Sequence, residues 1–103
     1  MMGFGNDLAR AHGEHIRLAV LQLLADTPGY RAADALLHPA LEAMGLGCTR
    51  DQLRMHLSWL DELQLITVEE RGNAAISTLS ERGGDVARGQ ALVNGVARPA
   101  PGR

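Results

Sequence analysis

The first part of the chain carries hydrophobic residues at the spacing of an α-helix. Over residues 14–24 they line one face of that helix, at Ile16, Ala19, Val20, Leu23 and Leu24. Pro28 and Gly29 then end it, because proline cannot continue a helix and glycine frees the following turn. The signal before this helix is weak, since the segment is rich in glycine. We therefore expect a flexible N-terminal segment over residues 1–13.

Two further helices are predicted in the middle of the chain. The second helix covers residues 33–44 and contains Pro39, which should kink it or move its start to about His38. The third helix follows Thr49, whose hydroxyl can form a capping box with Gln52 three residues later. Its leucines fall on one face and most of its charged residues on the other, which is typical of a helix on the surface of a core.

Beyond the third helix the hydrophobic period changes to that of a β-strand. Residues 65–69 and 74–78 are rich in β-branched residues and flank a glycine-containing turn, which predicts a short hairpin. Ser80 can cap a last short helix over residues 81–88. Residues 90–103 contain glycine and proline without a periodic pattern, so we expect an extended or mobile tail.

The order of these elements predicts the fold class. A chain of 103 residues has room for one small domain, which we place at residues 14–89. The short connection between the second and third helices has helix-turn-helix spacing, and a hairpin directly after the third helix has the position of a wing. We therefore predict an α+β, mainly helical fold, a winged helix-turn-helix of three helices, a two-stranded hairpin wing and a short C-terminal helix.

Several stretches of the chain also carry a resemblance to a known group of proteins. These stretches are residues 15–21, 28–31, 41–47, 50–54, 57–60, 81–89 and 95–99. Together they resemble a family of small proteins encoded in Mu-like prophages and described as ArsR-like winged-helix proteins. The resemblance implies a prophage origin, a winged helix and a role in transcription regulation. Pro39 departs from the family pattern, which has a helix-compatible residue there.

A winged helix inserts the N-terminal part of its third helix into the major groove of DNA. Here that part offers arginines, which suit guanine edges or phosphates, and a glutamine, which suits adenine. Arg71, at the hairpin tip, is placed to reach a flanking phosphate. Our first hypothesis is a small regulator that binds double-stranded DNA through Thr49, Arg50, Gln52, Arg54 and Arg71, with tail contacts from Arg88, Arg98 and Arg103.

The distribution of charge favours a second hypothesis. The chain has no lysine and a net charge of −2, and residues 49–79 hold three arginines against five acidic residues. Such a surface neutralises few phosphates, so it binds DNA weakly. The alternative is a non-enzymatic adaptor that binds a phage protein through the winged-helix surface and the tail, in phage regulation or assembly. A homodimer would enlarge either surface, and Trp59 at the flank of the third helix is a candidate for its interface.

Few other residues could act as nucleophiles, bases or metal ligands. Their scarcity argues against several classes of protein. The sequence shows no combination of nucleophile, base and orienting group, so we do not expect an enzyme. Cys48 has no second cysteine to pair with, so we expect no metal site and no cofactor, and a reducing bacterial cytoplasm suits it. No apolar run reaches the roughly 20 residues of a membrane span. His56 lies on the apolar face of the third helix and is expected to be a hydrogen-bonded core residue.

Overall fold

The computed structural model of the chain describes residues 3–101, and its first helix is longer than the hydrophobic pattern predicts. Helix α1 covers Gly3–Ala25 and contains the predicted apolar face. The structure therefore places residues 3–13 in a helix where the sequence predicts a flexible segment, while Met1 and Met2 lie outside the described residues. The physical reason is helix propagation: once the packed C-terminal half has formed the helix, each added residue gains a backbone hydrogen bond without the cost of a new nucleus.

A short strand that the sequence analysis missed follows α1. Strand β1, Arg31–Ala33, comes after a turn in which Gly29 and Tyr30 both adopt positive φ, 74° and 58°. It pairs antiparallel with a later strand, so the sheet has three strands where a two-stranded hairpin was predicted. Three residues are too few for an alternating pattern to show in the sequence, and their partners are far along the chain.

The next two helices lie near their predicted positions. Helix α2, Asp34–Ala43, continues through Pro39, so it does not restart near His38. Helix α3, Arg50–Glu62, begins with the predicted capping box. The Thr49 hydroxyl accepts from the Gln52 amide at 3.0 Å, and the Gln52 side chain accepts from the Thr49 amide at 2.9 Å.

The hairpin and the short fourth helix are confirmed. Strands β2, Ile66–Arg71, and β3, Ala74–Leu79, pair in register from Ile66↔Leu79 to Arg71↔Ala74. Strand β3 lies in the middle of the sheet, in the order β1-β3-β2. Helix α4, Glu81–Ala87, is capped by the Ser80 hydroxyl, which accepts from the Gly83 amide at 2.9 Å.

One hydrophobic core holds these elements together. Helices α1, α2 and α3 contact the sheet, and α4 lies against α1. The largest fully buried apolar side chains are Ile16, Val20, Leu21, Leu24, Leu37, Leu41, Leu53, Leu57, Leu60, Leu65 and Ile66. Over residues 3–101 the fold is therefore mostly helical α+β, with four helices and a three-stranded antiparallel sheet.

Up to Pro101 the segment after α4 has no helix or strand, but it lies against the body of the protein. Val96 is buried, and the Ala97 amide donates to the Glu14 carbonyl oxygen at 3.1 Å. Gly95, at a φ of 98°, lies directly against the Trp59 ring, where a side chain would collide with it. The expectation of an extended or mobile tail therefore needs correction for its central part, because α1 and α3 provide a surface on which this segment packs.

Candidate interaction surface around helix α3

The N-terminal corner of α3 gathers four of the five residues predicted to contact DNA. Thr49 and Gln52 are exposed, but the capping box uses the Thr49 hydroxyl and the Gln52 side-chain oxygen on each other's backbone amides. Arg50 and Arg54 follow on the side of α3 that faces α2 and the hairpin. The number of hydrogen-bonding groups that this corner can still offer to a ligand therefore depends mainly on what the two arginines contact.

Both arginines contact Asp34, the first residue of α2, which the sequence analysis did not single out. Its side chain is only 1% exposed, and Oδ2 accepts from Arg50 Nη2 at 2.9 Å and from Arg54 Nε at 3.2 Å. Oδ1 accepts from the Ala75 amide at 3.2 Å. Burial alone would raise the pKa of this carboxyl group, but the hydrogen bonds from Arg50 and Ala75, with the neighbouring positive charges, together lower it.

Arg54 has further partners on the hairpin, so its guanidinium group is almost fully used within the protein. Nη1 donates to Glu70 Oε1 at 3.3 Å, and Nη2 donates to the carbonyl oxygen of Asn73 in the turn. The guanidinium group therefore connects α2, α3 and the hairpin. An arginine engaged in this way offers a free edge for the two parallel hydrogen bonds that recognise a guanine only if its contacts with the hairpin break.

Arg50 and Arg71 are the more accessible of the predicted contacts. Their side chains are 54% and 64% exposed. Arg71 donates to Glu69 at 3.0 Å, and Arg31 lies 3.8 Å from the same carboxylate. Arg50, Arg54 and Arg71 thus each have an acidic partner. The corner and the nearby hairpin therefore offer little uncompensated positive charge to a polyanion.

The outward face of α3 has a different character from its N-terminal corner. At 100° per residue, Asp51, Met55, Ser58 and Glu62 fall within about 60° of one another, opposite the buried leucines. All four side chains are exposed, and Met55 is 70% exposed. We name these four residues the outer face of α3. It carries two carboxylates and an apolar side chain, and none of its residues is an arginine.

The opposite flank of α3 holds the C-terminal segment in place. The Arg17 guanidinium lies 4.5 Å from the centre of the Trp59 ring and also donates to the Gly95 carbonyl oxygen. Arg17 Nε donates to His56 Nδ1 at 3.2 Å, so His56 is hydrogen-bonded as predicted, although it is only half-buried. Burial, followed by the positive charges of Arg17 and His12, lowers the pKa of His56. Trp59 thus packs within its own chain.

Two of the predicted tail contacts, Arg88 and Arg98, line one surface pocket to which α3 contributes no residue. Arg88 donates to Asp85 at 2.9 Å, one turn earlier in α4. Arg98 is exposed and makes no ion pair among residues 3–101. Arg103 lies outside the described residues. The structure therefore does not bring the two described tail arginines together with the N-terminal corner of α3.

Other groups in the described part of the chain form no recognisable site. It contains no group of three His, Cys, Asp or Glu side chains able to hold a metal ion, and none of its helices is long and apolar enough to cross a membrane. Cys48 is half-buried, and burial, followed by the charge of Glu42, raises the pKa of its thiol. His38 Nε2 donates to the Cys48 carbonyl oxygen at 2.7 Å, which ties α2 to the residue before Thr49.

Comparison with known proteins identifies two relatives. No protein-family model and no solved structure matches the chain. It is 42% identical over 88 residues to the uncharacterized protein gp26 of Escherichia phage Mu, an alignment that covers 85% of this chain and 91% of gp26. It is also 34% identical over 67 residues to an uncharacterized protein of Haemophilus influenzae, which covers 64% of this chain and 65% of that protein. The chain therefore belongs to the same family as gp26 of phage Mu, which supports an origin in a Mu-like phage.

Proposed function

We propose that this chain is a winged-helix protein that binds another protein of its phage through the outer face of α3. The element order helix, strand, helix, helix, strand, strand, with β3 in the middle of the sheet, supports the winged helix. The β2–β3 hairpin directly after α3 is then the wing. The ArsR-like resemblance of the sequence is consistent with this assignment.

The composition of the outer face favours a protein partner over DNA. In a DNA-bound winged helix this face lies in the major groove, between two rows of phosphates. Asp51 and Glu62 there would be repelled by the phosphates, and Met55 has no hydrogen-bond donor to offer to a base. Methionine is enriched at protein interfaces, and the two carboxylates suit a partner that carries arginine or lysine around an apolar patch.

Met55→Glu is expected to lower affinity for that partner by about 30-fold or more, because it places a third charge at the centre of the interface. The matched control is Leu8→Glu on α1, since Leu8 is 60% exposed and Met55 is 70% exposed. Neither substitution disturbs the core. The partner is sought by a bacterial two-hybrid assay of the full chain against the other proteins of a Mu-like phage, followed by calorimetry with the purified pair.

The proposal is supported by a partner that Met55→Glu loses and Leu8→Glu retains. It is overturned if every partner found binds both variants as it binds the wild type, because the contact then lies elsewhere. Unchanged circular dichroism and unfolding midpoints of both variants establish that a lost interaction is not a lost fold.

Binding of double-stranded DNA, with a role in transcription regulation, is the second candidate function. The observation that favours it is the exposure of Arg50 and Arg71, of which Arg50 stands at the N-terminus of α3, where the helix dipole adds positive charge. The available contacts are fewer than the sequence predicts, because Arg54 is engaged within the protein.

On the protein-binding proposal, the wild type binds DNA no more tightly than a non-specific protein, with a Kd of about 10⁻⁶ to 10⁻⁴ M at physiological salt. Fluorescence anisotropy with phage promoter duplexes at several salt concentrations measures this. Tighter binding that Arg50→Ala/Arg71→Ala weakens, with a salt slope lower by about 2, would favour the regulator instead. Arg10→Ala/Arg82→Ala, which removes two exposed arginines elsewhere, is the control.

A further inference from the structure

We propose that Arg54 acts as a clamp that sets the position of the β2–β3 hairpin relative to α3, with one fixed arm and one releasable arm. The fixed arm is the pair with Asp34, and the releasable arm is the pair of contacts with Glu70 and Asn73. This inference concerns the coupling of the elements around α3, and it holds whether the partner of the protein is protein or DNA.

The fixed arm is buried at its acceptor end. Asp34 is 1% exposed, and its Oδ2 accepts a hydrogen bond from Arg54 Nε at 3.2 Å and lies 3.1 Å from Arg54 Nη2 in the same ion pair. The same carboxylate also accepts from the Ala75 amide of β3. Salt screens a buried ion pair poorly, and an unpaired carboxylate at this position would be costly. We therefore expect α2, α3 and Ala75, the second residue of β3, to stay joined at neutral pH at both low and high salt.

The releasable arm lies in solvent. The Glu70 side chain is 64% exposed, its distance to Arg54 Nη1 is 3.3 Å, and Asn73 belongs to the exposed turn between β2 and β3. Exposed ion pairs are weak and are screened by salt. An anion near this corner, from a partner or from solution, competes with Glu70 for the guanidinium group. The hairpin tip, residues 71–74, then separates from α3, while Asp34 keeps Arg54 and Ala75 in place.

The planar fork of arginine is essential to this arrangement. Arg54 directs its donors to acceptors on three elements at once, which the single ammonium group of a lysine cannot do with the same geometry. Arg54→Lys therefore preserves the charge and loses the connection. The effect of Arg54→Lys therefore distinguishes a clamp from a residue that contributes only its positive charge.

Amide hydrogen exchange on the full-length protein tests the clamp without any partner. In the wild type, exchange at residues 71–74 is expected to accelerate about two- to fivefold between about 50 mM and about 500 mM NaCl, with α1 as the internal reference. Glu70→Gln is expected to show the faster exchange already at low salt and no further response. Arg54→Lys should behave in the same way.

Glu69→Gln is the matched control, because Glu69 precedes Glu70 on the same strand and pairs with Arg71 and Arg31 instead. It should keep the salt response of the wild type at the hairpin tip. Exchange at the tip that is equal in the wild type and Glu70→Gln at both salt concentrations would overturn the clamp. So would an equal acceleration in Glu69→Gln, which would indicate loss of strand charge alone. Because no binding assay enters, failure here is distinct from failure of the proposed function.

Discussion

Gly83→Ala is expected to destabilise the protein by about 3 kcal/mol, at the upper end of what overpacking costs. A Cβ atom at this position would lie 2.0 Å from the Leu65 carbonyl oxygen and 2.9 Å from its carbonyl carbon. Both are backbone atoms, so no side chain can rotate away. That oxygen also accepts from the Ser80 amide at 3.1 Å and from its hydroxyl at 2.9 Å, so a shift of α4 disturbs the cap of the helix as well.

Gly84→Ala is the matched control, and its expected effect is zero or a gain of up to about 1 kcal/mol. Its Cβ would meet only the end of the flexible Arg88 side chain, at 3.2 Å. Alanine has a higher helix propensity than glycine, so helix propensity alone predicts that both substitutions stabilise the protein. Urea unfolding followed by circular dichroism separates the two cases. Equal effects of the two substitutions would show that α4 does not lie against Leu65.

The elements that the sequence predicts well are those whose signal is local. Helices α2 and α3, the hairpin and α4 each have a periodic pattern, a cap or a turn within a few residues. Strand β1 was missed because its only support is pairing with β3, more than 40 residues away. The course of the C-terminal segment depends on a glycine that fits against Trp59, which no local pattern records.

For the site residues too, the sequence predicts local features but not contacts between distant residues. The sequence places Thr49, Arg50, Gln52 and Arg54 at the start of a capped helix, and the cap is confirmed. What it could not provide was the acceptor that holds the arginines, because Asp34 is 16 and 20 residues away from them. A weak signal existed: Asp34 lies on the same face of α2 as Leu37 and Leu41, and an acid among buried leucines needs a partner.

The position of Asp34 also explains why the two sides of α3 differ in charge. The arginines turn toward α2 and the hairpin because the buried carboxylate lies there. The outer face is left to the residues without an internal partner, which are acidic, polar or apolar. On the proposed function, a helix whose arginines pair with Asp34 and whose outer face carries acids is unfavourable for a phosphate-lined groove and suitable for a basic protein surface.

Asp34→Ala is expected to destabilise the protein by about 3 kcal/mol at neutral pH, the lower end of the range for breaking a buried ion pair. The substitution leaves the buried Ala75 amide without its acceptor, which is costly. Arg50 and Arg54 lose their shared partner, but both retain contact with water, which limits the cost. Asp34→Asn keeps the shape and an acceptor oxygen, so its effect at neutral pH should be smaller than that of alanine.

The pH dependence of this effect distinguishes the charge of Asp34 from its shape. Because the folded protein lowers the pKa of Asp34, its contribution is fully present above the ordinary unfolded value of about 3.9 and is lost as the pH falls through the lower folded value. The stability difference between wild type and Asp34→Asn should therefore shrink on acidification below about pH 4. Urea titrations at a series of pH values measure this stability difference.

Asp51→Asn, which removes the charge of an exposed acid on the outer face, should change stability by only about 0.5 kcal/mol at neutral pH. A difference for Asp34→Asn that stays constant into acid would mean that packing, and not the ion pair with the two arginines, is what Asp34 contributes.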